Sequence, residues 1–214
     1  MLKDRMKQHI AEVIKVKEEQ QALQGENKVE LAMYKEEMNY VKKYDLLSDD
    51  IKENIILVEE NPISRFSDAY IERVHKESEE VIAKETPASF LTQPIQFLKQ
   101  HKNEFIYLES HSFEMVKADA VSVELDDIFG FYNVMLGLKL QKKLETTLKT
   151  YLSNNLHGDE LKFGLMFNQG DGLWDLNFAL NYVEGFKEDM SIGEAYSLIY
   201  RFLFKLVEAA EEEQ

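Results

Sequence analysis

The chain has 214 residues, 44% of them apolar and 11% aromatic, and a formal net charge of −15. This composition fits one large folded domain, or a domain with a helical appendage, and argues against disorder. The negative field disfavours nucleic acid and anionic membrane surfaces as partners, and the absence of cysteine removes disulfides, thiolate metal sites and cysteine nucleophiles.

The start, "MLKDRMKQHIAEV", carries scattered charges and no apolar signal core. No run approaches the ~18 apolar residues of a membrane span, so the expected location is the cytoplasm. All three prolines (Pro62, Pro87, Pro94) lie between residues 62 and 94, whereas eight of the nine glycines follow residue 129. This segregation predicts a helical region over 1–90 and an α+β domain over 91–214.

Leu2, Met6, His9, Val13, Val16, Gln20 and Leu23 follow alternating steps of four and three, a heptad seam with polar interruptions. Gly25 suits a helix end. "NKVE" offers Asn27 and Glu30 as a capping box. A second helix would then align Leu31, Tyr34, Met38 and Val41. Residues 2–46 are thus expected to form a helical hairpin or one longer helix weakened at Gly25. Met6, Val13 and Leu23 mark its candidate interaction seam, facing its own domain or another chain.

Ser48 opens a further predicted helix with Ile51, Ile55 and Val58 inward. Asn61-Pro62 opens another, carrying Ile63, Phe66, Tyr70, Val74 and Val81. "EFIYLE" (104–109), "SFEMVK" (112–117) and "AVSVEL" (120–125) read as short strands. Asp126 is placed as the N-cap of a long helix reaching about Leu156. Phe163, Leu165 and Phe167 alternate, as do Trp174, Leu176, Phe178, Leu180 and Tyr182, so a hairpin is expected over about 162–182. Ser191 and Glu194 form a capping box for a last, broadly apolar helix. The fold class is therefore α+β: an N-terminal helical region, then a small antiparallel sheet packed against two long helices.

"NQGDG" (168–172) lies between the two hairpin strands. Asn168, Asp171 and Asp175 lack the spacing of a calcium loop. The segment opens a strand and has no lysine, unlike a phosphate-binding loop. Turn chemistry accounts for each residue: glycine supplies positive φ, and Asn and Asp bond their own backbone. Asp175, Asn177 and Asn181 lie on the polar side of the second strand, where Asn and Asp are poor strand formers. They are a candidate surface for a ligand or partner, against a plain solvated face. Glu109 and His111 would share one side of a continuous strand and, with Asp119, could hold a metal.

There is no nucleophile elbow and no paired-histidine helix motif. No cofactor is expected, and enzyme activity is not indicated. The expected function is non-enzymatic protein interaction, as an acidic adaptor, regulator, chaperone or inhibitor. Its partner would be another protein or a second copy of the chain. The alternative is a small-ligand or metabolite-binding domain, or an enzyme, with a pocket between sheet and helices.

Overall fold

Residues 2–21, 29–158 and 163–212 are described by the computed structural model. It divides into two units, Met1–Ser64 and Arg65–Gln214. The division falls near Ser64 because residues 70–75 and 81–85, within the stretch expected to be helical, form strands of the large sheet of the second unit.

The first unit is α1 (Leu2–Gln21), β1 (Val29–Met33), α2 (Lys35–Lys43), α3 (Asp49–Asn54) and β2 (Ile55–Glu59). β1 and β2 pair in parallel, with Leu31 opposite Leu57. Parallel strands need a crossover connection, and α2 and α3 supply it. No helical hairpin spans 2–46: Leu31 and Met33 are buried while Glu30 and Ala32 are exposed, the period of a strand. On α1 the buried residues are Leu2, Met6, Ile10 and Ile14. This stripe of four-residue steps replaces the expected heptad seam, in which His9 and Val16 are instead exposed. The helix opening at Asp49 lasts six residues and gives way to β2, so Val58 lies on a strand. Asn61-Pro62 opens only a 3-10 turn, Pro62–Phe66, with the Ile63 N–H donating to Asn61 Oδ1.

The second unit begins with β3 (Tyr70–His75) and β4 (Val81–Glu85), where a helix was expected. Short helices α4 (Pro87–Phe90) and α5 (Phe97–Gln100) follow, then β5 (Glu104–Glu109), α6 (Ser112–Met115), β6 (Ala120–Leu125) and β7 (Tyr132–Leu138). The chain continues through α7 (Glu145–Asn155), β8 (Phe163–Asn168), β9 (Leu173–Ala179) and α8 (Ile192–Glu212). The strands form a seven-stranded antiparallel sheet in the order β4-β3-β5-β6-β7-β9-β8.

Two expectations fail here for identifiable reasons. "SFEMVK" forms the turn of α6, because Phe113 and Val116 are both buried at a helical spacing. The long helix from Asp126 is absent. Asp126 Oδ1 does accept N–H bonds from Ile128 and Phe129, as a cap would, but it stabilises a turn. The Gly130 N–H closes that turn onto the Asp126 carbonyl, with Gly130 at φ +74°. Tyr132, Val134, Leu136 and Leu138 then alternate inward along β7.

One face of the sheet is closed. Ile106, Val123, Val134, Phe178 and Phe163 lie opposite one another across five strands. α8 covers this face, with α7 beside it. The Tyr196 hydroxyl donates to the carbonyls of Ile106 and Val121, and the Phe202 ring lies 4.9 Å from Phe178. The expected capping box forms: the Glu194 N–H donates to Ser191 Oγ and the Ser191 N–H to Glu194 Oε2. No helix among the described residues is long and apolar enough to cross a membrane.

Candidate functional site on the open sheet face

Alternation along the strands gives the sheet a second, more polar face, which no helix of the second unit covers among the described residues. Its middle row runs Glu72, Tyr107, Ser122, Met135, Asn177 and Gly164 across six strands. The neighbouring row holds Glu109, Ala120, Gly137, Asp175 and Met166. Small side chains at Ala120, Ser122 and Gly137 sit among larger ones at Tyr107, Met135 and Leu173. The result is a shallow concavity of about 480 Å³ over β6, β7 and β9. Gly137 forms part of its floor: a Cβ there would touch the Leu173 side chain at 3.4 Å.

Charge is distributed unevenly around this hollow. Towards β4 the acids are matched by cations. Lys84 contacts Glu72 at 3.7 Å, and Lys76 contacts Glu124 at 3.7 Å and Asp127 at 3.9 Å. At the rim, Asp119 pairs with Lys139 at 2.5 Å. The Tyr107 hydroxyl donates to Glu109 Oε1 at 2.5 Å. Burial, then the bond to Glu109, pushes the Tyr107 phenol well above its usual range. Tyr107 therefore stays a neutral donor. The Asp175 side chain is exposed, and its carboxylate has no ion-pair or hydrogen-bond partner among the described residues.

The three polar-row candidates separate. Asp175 and Asn177 line the concavity. Asn177 also has a structural task, since its Oδ1 accepts the Gly164 N–H at 2.6 Å, and a Cβ on Gly164 would collide with it at 2.5 Å. This contact is a physical reason for asparagine in a strand. Asn181 is not on the row: β9 ends at Ala179, and Asn181 sits in a 3-10 turn where its Oδ1 accepts the Tyr132 N–H at 2.7 Å. "NQGDG" is a turn, with Asn168 Oδ1 accepting the Gly170 N–H and Gly172 at φ +69°.

The metal candidates do not share a strand. β5 stops at Glu109, and His111 is a highly exposed residue in the following turn, 3.2 Å from Glu114. Glu109 is engaged by Tyr107. Among the described residues no group of three or more potential ligands converges. Of the seam candidates, Met6 is fully buried and so cannot offer its side chain to another chain. Val13 is half-buried, and Leu23 lies outside the described residues.

Sequence reasoning missed Tyr107, Ser122, Met135 and Gly137. The available signal was a glycine within an alternating apolar run, which marks a place where something approaches the backbone closely. It also missed the tip of the β6–β7 turn, where Ile128 and Phe129 are 85% and 61% exposed. No family model matches the chain, and comparison with curated proteins and with solved structures finds no match.

Proposed function

We propose that the protein is a non-enzymatic interaction module whose open sheet face receives a basic segment of a partner protein. The observation that carries this reading is the unpaired Asp175 carboxylate at the edge of the concavity. A lysine or arginine entering there would meet the carboxylate with its charged head. Its aliphatic stem would lie against Met135 and Leu173, and Tyr107 offers an aromatic ring. The net charge of −15 favours the approach of a cationic partner and opposes an anionic one. Adaptor, regulator, chaperone and inhibitor roles all use such a surface.

Titration with labelled arginine- and lysine-rich peptides tests this reading. Binding should weaken with added salt and fall by about tenfold or more in Asp175→Lys, because attraction becomes repulsion. Equal binding of a neutral peptide, or unaltered binding by Asp175→Lys, would refute it.

A second reading, a small-ligand site, draws on the size of the hollow: about 480 Å³ falls within the usual range of ligand pockets. A thermal-shift screen of metabolites separates the two. A stabilising compound whose effect disappears in Gly137→Leu, with no cationic peptide bound, would favour the small ligand.

A further inference from the structure

The two outer strands of the seven-stranded sheet differ in how they are protected. β4 carries Lys84 and Glu85, is followed by Pro87, and lies against a register shift between Arg73 and Val74. Charges, prolines and bulges are the features that keep a sheet edge from pairing with another chain. β8 reads "FGLMFN". It has no charge and no proline, and its register with β9 is unbroken. Among the described residues, it pairs with no strand other than β9. Apart from the Gly164 N–H, which donates to Asn177 Oδ1, its remaining backbone donors and acceptors are paired with no other strand among the described residues.

We propose that β8 pairs antiparallel with β8 of a second copy of this chain, joining two seven-stranded sheets into one. Register selects the second copy as occupant. Phe163, Leu165 and Phe167 lie on the helix-covered side, opposite Phe178, Leu176 and Trp174, while Gly164 and Met166 lie on the open side. A two-fold axis perpendicular to the sheet keeps these faces matched only if partners have the same parity. An axis through Leu165 places Leu165 opposite its copy and Phe163 opposite Phe167 of the other chain. Gly164 then lies opposite Met166, which is 67% exposed in the single chain.

This arrangement yields two aromatic cross-strand pairs, a stabilising combination. Met166, the most exposed side chain of the strand, then lies across from Gly164, over which the Asn177 side chain folds. Two chains of net charge −15 repel each other, and an uncharged strand adds nothing to that repulsion at the contact. The contact is small, below about 1,200 Å², and so predicts a reversible, concentration-dependent dimer. It is independent of the partner reading, because β6, β7 and β9 keep their concavity uncovered.

The cysteine-free sequence provides a direct test. Leu165→Cys introduces a single thiol at the proposed axis, where facing Cα atoms would be about 4.5–5.5 Å apart, within disulfide reach. Under mild oxidation this variant is expected to form a disulfide-linked dimer. Ile82→Cys on β4, 43% exposed, is expected to remain monomeric. Sedimentation of the unmodified chain should show dimer rising with concentration, and Met166→Lys, an exposed change that leaves the fold intact, should weaken it about tenfold. A chain that stays monomeric to ~1 mM overturns the proposal. So does a dimer in which the Leu165→Cys thiol forms no cross-link.

Discussion

The two faces of the seven-stranded sheet come from the same strands, one residue apart, yet they meet different demands. The covered face is continuous and apolar, from Ile106 through Val123 and Val134 to Phe178. The open face mixes Tyr107, Ser122, Met135, Asp175 and Asn177 around a hollow. The comparison separates stability from recognition within single strands: an even-odd step along β9 moves from Phe178, which holds the fold, to Asn177 and Asp175, which face solvent.

Mutations should therefore divide by parity. The largest effect is expected at Phe178→Ala, which removes a fully buried ring in contact with Phe202. A loss of about 3–5 kcal/mol in denaturant unfolding is expected. A loss under 1 kcal/mol would mean that the covered face is not the core. Alkali should also act through this face. Burial raises the Tyr196 phenol well above its usual range, whereas in the unfolded chain it ionises near pH ~10. Its contribution is fully present below that pH and is lost as pH rises through the folded value. Stability should fall by about 1.4 kcal/mol per pH unit above pH ~10 on this account. Tyr196→Phe should flatten the slope measured by unfolding at pH 9.5 to 11.5.

Ser191→Ala deletes one half of the capping box of α8 and should cost about 1 kcal/mol. The smallest stability change belongs to the open face. Asp175→Asn should alter stability by no more than about 0.5 kcal/mol while reducing affinity for cationic peptides. If Asp175→Asn proves as damaging as Ser191→Ala, the open face is structural and the parity division breaks down.

The sequence reveals the fold where local chemistry and tertiary packing agree. The β8–β9 hairpin combines long alternation with turn residues whose bonds all form, and Ser191 and Glu194 cap α8 as their spacing predicts. It misleads where two periods coexist. Leu31, Tyr34, Met38 and Val41 trace a helical stripe, yet Leu31 and Met33 also alternate, and pairing with β2 selects the strand. In β3 the inward position at Arg73 is polar, so alternation is masked. Glu85 and Glu104, each brought in from a different strand, match its charge at 3.1 and 3.6 Å. Asp126 offers the same side-chain oxygen to a turn as to a helix, and Gly130 decides for the turn. Part of the candidate site, Asp175 and Asn177, was legible as unusual strand residues. The rest was not, because Tyr107, Ser122 and Gly137 are ordinary alone and become a hollow only through the register of β5, β6 and β7.

The position of α8 also has a temporal consequence. Its 21 residues extend about 31 Å at helical rise, close to the breadth of about 29 Å for seven strands side by side. Tyr196 anchors it at β5 and β6, and Phe202 meets β9 two strands away, so it crosses the strands. A ribosome delivers every strand of the sheet before it delivers this crosspiece. Until residues 196–207 emerge, the apolar side of the sheet lacks its main cover. The second unit therefore completes its fold only after all seven strands and α8 are available together.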